Sequence, residues 1–403
     1  MTTRSQARVI TVFGTRPEAI KLAPVIEAFR LDSRFESRTV ATAQHRDLLD
    51  RVLEIFDIRP DHDLDLMRPD QSLPELTARA MTDLSQVLRA ESPDLVVVQG
   101  DTTTTMVGAL AAFYQGLPVA HVEAGLRSLD KRNPFPEEIN RQIVTRIADL
   151  HFAPTEGNRR TLLAEGVAAD TIVVTGNPGI DALVRSSRSI DENRVDSLIP
   201  GFGASGHRLI LVTLHRRESF GEPLARICSA LRQVTEEDPD VEILYPVHPN
   251  PNVRRIVQSE LLGKARIHLT EPLDYLDFVC AMKTAYLIVT DSGGVQEEAP
   301  SLGTPVLVLR DVTERIEAVN VGAARLVGRD PADVVDAVRE LLRDEGAHAR
   351  MTGHSNPYGD GRAAGRMVEA AHAFLEARRR PTAIASEPGA TRSTSVAGVA
   401  NDP

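Results

Sequence analysis

Short runs of β-branched and aliphatic residues recur along this chain without polar residues alternating between them. Each is followed by a polar or glycine-bearing turn and then a helical pattern. A strand with one wet face alternates, so a run that is apolar throughout reads as a strand buried on both faces. That is the mark of a parallel sheet covered by helices. Val9 to Phe13 precedes Gly14-Thr15-Arg16-Pro17-Glu18, where Pro17 suits the first turn of a helix continuing through Ala19-Ile20-Lys21-Leu22. Leu95 to Gln99 precedes Gly100-Asp101, four threonines and the helical stretch Val107 to Ala112. Val119 to Val122, Phe152-Ala153 and Ile172 to Val174 read as further strands of that sheet. The rhythm lapses into Arg, Ser, Asp and Gly between Asp181 and Gly206, then restarts with Leu209 to Thr213, Val241 to Tyr245, Leu287 to Thr290 and Val306 to Leu309. The expected fold class is therefore α/β, with two doubly wound parallel-sheet domains facing a cleft. The expected spans are 1–183 and 184–364, and residues 381–403, poor in apolar side chains, are expected to form a disordered tail.

A length of 403 residues supports more than one core. The formal charge of −11 argues against a general nucleic-acid binder but not against an anionic small molecule held by local cations. Cys228 and Cys280, each in an apolar helical pattern, read as buried free thiols of a reducing compartment. The first eight residues lack the apolar stretch of a signal peptide, and no run approaches the ~18 apolar residues of a membrane span. The expected location is cytoplasmic, with no membrane partner.

The polar residues that stand out follow strand ends, where ligands of open parallel sheets bind. Leu287 to Thr290 runs into Asp291-Ser292-Gly293-Gly294 and Val295-Gln296-Glu297-Glu298. Glycines at a strand-to-helix junction let backbone amides approach a bulky anion, while two glutamates there fit sugar hydroxyls better than phosphate. Arg16 and Lys21 bracket a first helical turn and suit a phosphate or carboxylate, against the alternative of two solvated charges. Asp101 is either a helix N-cap, in competition with the threonines after it, or a catalytic carboxylate. Glu123 closes an apolar strand, where desolvation is expected to raise its pKa toward the range of proton transfer; the alternative is a salt bridge to Arg127. Glu137 and Glu138 follow Asn133-Pro134-Phe135-Pro136 and are either functional or first-turn glutamates favoured by the helix dipole. His215 leads three consecutive ionisable residues at a strand end, His248 lies between prolines, and Arg315 is placed to reach the Ser292-Gly294 turn. No histidine pair or carboxylate cluster has metal-ligand spacing, and dinucleotide and P-loop fingerprints are absent. Neither a metal nor another cofactor is expected.

These segments resemble the non-hydrolysing UDP-N-acetylglucosamine 2-epimerase family. The matching stretches are Phe13 to Lys21, Thr42 to Arg46, Gly100-Asp101 with its threonines, His121 to Arg127, and Pro136-Glu137-Glu138 with Asn140-Arg141. Further on they are His215 to Gly221, and Thr290 to Gly303 with Thr313-Glu314-Arg315. The resemblance runs in order over roughly residues 8 to 375. It implies a pair of Rossmann-like domains arranged as in GT-B glycosyltransferases, with a C-terminal helix over 365–380 crossing back to the first domain, and a homodimer. It further implies that Ser292, Gly293 and Gly294 take the phosphates, Glu298 the ribose, and Leu273 to Phe278 the uracil. Arg16, His215 and Arg315 would add contacts to the diphosphate, with Lys21 nearby, and Asp101, Glu123 and Glu137 match the catalytic carboxylates. Gln44, Glu138, Arg216 and His248 match positions where relatives bind a second UDP-GlcNAc as activator. Asp47 stands where some relatives have Gln, Arg68-Pro69-Asp70 does not supply the arginine expected there, and Ile316 stands where a proline is usual.

The implied reaction is reversible epimerisation at C2 of UDP-GlcNAc to UDP-ManNAc, through elimination of UDP to 2-acetamidoglucal and re-addition. Three other readings compete: a hydrolysing epimerase that releases UDP and ManNAc, a GT-B glycosyltransferase, and a non-catalytic nucleotide-sugar sensor. Which carboxylate acts as base and which as acid stays open at this point.

Overall fold

The computed structural model describes residues 6–42, 46–68, 71–216 and 220–379, apart from the side chains of residues 46–48, 192 and 193. The stretch read as a tail, 381–403, lies outside the described residues. Two all-parallel sheets form the frame. The first contains β1 (Ala7–Phe13), β2 (Phe35–Ala41), β3 (His62–Asp63), β4 (Leu95–Gln99), β5 (Val119–Val122), β6 (Leu150–Ala153) and β7 (Ile172–Val174), in the spatial order β3-β2-β1-β4-β5-β6-β7. The second contains β8 (Arg208–Thr213), β9 (Val241–Pro246), β10 (Ile267–Thr270), β11 (Leu287–Thr290), β12 (Val306–Val308) and β13 (Ala324–Leu326), in the order β10-β9-β8-β11-β12-β13. Both have the doubly wound order, in which the direction of winding reverses beside the first strand of each sheet. The fold is α/β and GT-B-like, as the sequence led us to expect.

The unalternating apolar runs are explained by burial on both faces. In β1, Val9 and Phe13 enter one core while Ile10 and Val12 enter the core on the opposite face. In β8, Ile210 and Val212 divide from Leu209 and Leu211 in the same way. At roughly 1.5–3 kcal/mol for each fully buried aliphatic side chain, a one-residue register slip would only exchange faces, so the helices above and below must fix the register. The helix Arg16–Leu31 begins with a capping box between Thr15 and Glu18, and has Pro17 in its first turn. Cys228 and Cys280 are buried free thiols, and among the described residues no helix is long and apolar enough to cross a membrane.

The chain crosses between the domains twice. The stretch 181–206, patternless in sequence, opens with the second part of the helix Pro178–Ser189, whose Ile180 and Leu183 are buried. The 183/184 division thus falls within a helix. The second crossing leads into the helix Ala363–Arg379, whose Ala364, Met367, Val368, Ala371 and Leu375 belong to the first domain's core beside Phe29 and Phe35. Asp181 joins the two crossings: its carboxylate accepts from the amides of Ala363 (3.1 Å) and Ala364 (2.9 Å).

Candidate active site

Both winding reversals open toward one cleft. On the first-domain side the loops after β1, β4 and β5 carry Arg16, Asp101 and Glu123; on the other, the loops after β8 and β11 carry His215 and Ser292. Lys21, one turn inside its helix, places Nζ 2.6 and 2.7 Å from the two carboxylate oxygens of Glu123. Gln99 donates to the same carboxylate from the end of β4. Glu123 has a φ of 67°, left-handed backbone that a non-glycine residue adopts only where its surroundings hold it. Burial pushes this carboxyl up, but Lys21, then Arg315 and Arg141, outweigh burial and hold it below the usual carboxylate range. The expectation of a raised pKa is corrected on that ground. The alternative pairing is corrected too: Arg127 binds Glu165 at 2.7 Å instead.

Asp101 does not cap the helix Thr103–Phe113; Thr102 does, accepting from the amide of Thr105. The Asp101 carboxylate binds Arg141, with Nη2 at 2.6 Å and Nε at 2.9 Å, and its carbonyl accepts from Asn140 at 2.8 Å. Burial pushes the His121 imidazole down to about 3, so the neutral ring donates Nε2–H to the Gly100 carbonyl at 2.8 Å. Glu137 and Glu138 both begin the helix Glu137–Ile147 but differ in environment. Glu138 is fully buried and accepts from the amide and hydroxyl of Ser128, from Gln142 and from Arg141. Glu137 has a buried Oε2 with no hydrogen-bond partner. A desolvated carboxylate oxygen without a donor is costly, and such atoms concentrate at functional sites.

On the second-domain side lies a cavity of about 620 Å³ whose walls include Arg16, His215, His248, Leu273, Phe278, Ser292, Gly294 and Glu298. Ser292 precedes the helix Gly293–Glu298 without capping it by its side chain. A Cβ on Gly293 would lie 3.0 Å from Cζ of Arg315, so the absent side chain makes room for the guanidinium. Arg315 Nε donates to Glu297 at 2.8 Å, and Asn177 donates to the other oxygen of that carboxylate at 2.7 Å. The fully buried Asp291 accepts from the amides of His215 (3.1 Å) and Arg216 (3.0 Å), and its Oδ1 lies 3.2 Å from Nδ1 of His215. Burial pushes His215 down despite Asp291. The rings of His215 and His248 stack with centroids 6.1 Å apart. Burial, reinforced by Glu297, raises Glu298 to about 7.

The two sides meet in a narrow crevice lined by Glu123 from the first domain and by Glu297, Arg315, Glu317 and Tyr358 from the second. Thr155 donates across it to Glu317 at 2.9 Å. Lys21, Glu123 and Arg315 are thus brought together from positions 294 residues apart in sequence at most. Asp101 and Glu137 neighbour one another through Arg141, which binds the former and lies one turn beyond the latter. Gln44 lies outside the described residues. Sequence reasoning gave no role to Arg141, Gln99 or Asn177, and read Glu297 as an acceptor for sugar hydroxyls where it instead pairs with Arg315 and Asn177. Their common signal was position at a strand end or in the first turns of a helix that follows one, which they share with many residues of no special role.

A sequence profile described as UDP-N-acetylglucosamine 2-epimerase matches residues 27–372. The UDP-N-acetylglucosamine 2-epimerase of Yersinia pestis is 52% identical over 369 residues, covering 90% of this chain and 98% of that protein. The enzyme of the same name from Escherichia coli K12 is 50% identical over 367 residues, covering 90% and 98%. The crystal structure of the UDP-GlcNAc 2-epimerase of Neisseria meningitidis bound to UDP-GlcNAc superposes with a TM-score of 0.84 at 43% identity, covering 91% of this chain and all of that one.

Proposed function

We propose that this chain, which belongs to the UDP-N-acetylglucosamine 2-epimerase family, interconverts UDP-GlcNAc and UDP-ManNAc without hydrolysis. The observation that carries the proposal is the meeting of an ionised, lysine-bound Glu123 with Arg315 in one crevice beside a cavity of nucleotide size. The Ser292 side chain, the amides of Gly293 and Gly294, the cations Arg16 and Arg315 and the His215 imidazole hold the diphosphate. Leu273 and Phe278 flank the uracil, and Glu298 takes a ribose hydroxyl.

The C2 proton of the sugar is not acidic, so the leaving group must depart first. As the C1–O bond breaks, its electron pair goes to the diphosphate, where cations and amides stabilise the growing charge. Oxocarbenium character at C1 acidifies C2–H. A carboxylate takes that proton and the C–H pair becomes the C1=C2 bond of 2-acetamidoglucal. Re-addition reverses the steps, with a proton delivered to the opposite face of C2 and the diphosphate oxygen rejoining C1. Glu123, Asp101 and Glu137 are the groups assigned to proton transfer, and Lys21 keeps Glu123 ionised. His215 acts on the departing diphosphate. A second UDP-GlcNAc acting through Gln44, Glu138, Arg216 and His248 is part of the proposal, supported by the contact of His248 with His215. So is a homodimer, for which the exposed apolar side chains of Phe135, Ile139 and Ile143 offer a face.

Incubation with UDP-GlcNAc in D2O tests the reaction. Reversible epimerisation with deuterium at C2 is expected; free ManNAc would instead indicate a hydrolysing enzyme, and absence of exchange would leave a transferase or a sensor. Asp101→Asn, Glu123→Gln and Glu137→Gln are each expected to lose at least ~10²-fold in turnover while still binding UDP.

A further inference from the structure

Glu18 does more than its place in a capping box requires. The box accounts for one carboxylate oxygen: Oε2 accepts from the amides of Gly14 (3.0 Å) and Thr15 (2.7 Å). The other oxygen turns away from its own helix. Oε1 accepts from the hydroxyl of Thr102 (2.6 Å) and lies 3.1 Å from that of Thr105, two residues that begin the helix after β4. A capping-box glutamate normally sits at the surface, whereas this side chain is 2% exposed. Its two oxygens therefore join the loop that carries Arg16 to the loop that carries Asp101. A second joint lies beside it: the hydroxyls of Thr42 and Thr104 are 2.8 Å apart and fill the space where a Cβ on Gly14 would stand. From the opposite side Asn140 and Arg141 hold Asp101.

The geometry points to Glu18 as a positioning residue, which acts through Thr102 to fix the Asp101 loop against the Arg16 loop and so sets the proton-transfer geometry at Asp101. This rests on the reading of Asp101 as an acid–base group. Glu18 does not line the substrate cavity, and its part is to accept from the Gly14 and Thr15 amides and the Thr102 hydroxyl at one point between two strand ends. Only two of these donors are backbone amides, which cannot reverse. The two hydroxyls can accept instead, and that of Thr105 already has the carbonyl of Gln99 within 2.5 Å. A glutamine at 18 would place its carbonyl on the amides and its NH2 on the threonine oxygens, keeping the clasp without the charge.

The test is steady-state kinetics on the full chain with UDP-GlcNAc. Misplacing a proton-transfer group by a fraction of an ångström is expected to lower kcat by roughly 10–100-fold in Glu18→Ala, with KM within about 3-fold. Glu18→Gln is expected to recover most of that loss. In an Asp101→Asn background, Glu18→Ala is expected to cost less than about 3-fold more, since both variants then act on one group. Should the alanine variant fail to fold, Thr102→Ser and Thr102→Val replace it: serine keeps the donor to Glu18 and must retain turnover where valine loses it. Glutamine as damaging as alanine, or losses that multiply in the double variant, would overturn the proposal. Parent-like turnover in Asp101→Asn alone would remove its foundation, and would do so visibly apart from any result at Glu18.

Discussion

The two sides of the cleft satisfy their polar groups differently. On the first-domain side the reacting groups are locked into short internal pairs: Lys21 with Glu123, Arg141 with Asp101, and Glu18 with two loops at once. On the second-domain side the cavity is walled by Leu273, Phe278, the Ser292-Gly294 turn and a histidine pair, with Arg16 reaching in from the other domain. The difference teaches a division of labour. Glu123 and Asp101 are fixed in advance by cations, while Arg16, His215 and the Ser292-Gly294 turn line a cavity open to an anion.

Lys21→Met strikes hardest at this division. It removes the nearest cation from buried Glu123, so burial is then opposed only by Arg315 and Arg141 and pushes that carboxyl up from where Lys21 holds it. Turnover is expected to fall by roughly 10²–10⁴-fold, and the acid limb of the kcat/KM profile to move to higher pH, while UDP affinity measured by calorimetry changes little. An unmoved acid limb would show that the pair does not govern the reacting carboxylate. Gly293→Ala tests the opposite side. Its Cβ would press on Arg315 at 3.0 Å, and UDP binding is expected to weaken by about 10-fold, or ~1.4 kcal/mol, with kcat nearly retained. If kcat fell as much as affinity, the two sides would not be separable.

Glu298→Gln concerns stability, with little effect expected on turnover. This carboxyl is raised from 4.5 to about 7 by burial and by Glu297, so the folded chain holds its proton more tightly than the unfolded chain does. The stabilisation is complete below pH 4.5 and is lost as pH rises through about 7. Glutamine has no proton to lose. The Tm of the variant relative to the parent is therefore expected to be higher at pH 8 than at pH 5, by thermal melts at matched ionic strength. A pH-independent difference would mean that Glu298 is not the desolvated group.

The central strands were legible because burial on both faces leaves an unbroken apolar run, as at Leu95 to Gln99 and Leu287 to Thr290. The strands missed lie at or near sheet edges. β2 carries Glu36, Ser37 and Arg38, β3 has two residues, and β10 and β13 have partly exposed faces, so none has a pattern to read. Individual site residues were visible as polar side chains following strand ends. Their partners were not, because pairings such as Lys21 with Glu123 or Asn177 with Glu297 join residues more than a hundred positions apart. The sign of the shift at Glu123 failed for that reason: desolvation could be inferred from its apolar strand, whereas the ammonium beside it could not.

The helix Ala363–Arg379 carries one more consequence. Because Met367, Val368 and Leu375 finish the core of the first domain, that domain stays incomplete during synthesis until the entire second domain has been made. A chain cut before Ala363 would expose the aromatic pair Phe29 and Phe35 that this helix covers. The same return path leaves two neighbouring tethers, clasped by Asp181, between the lobes.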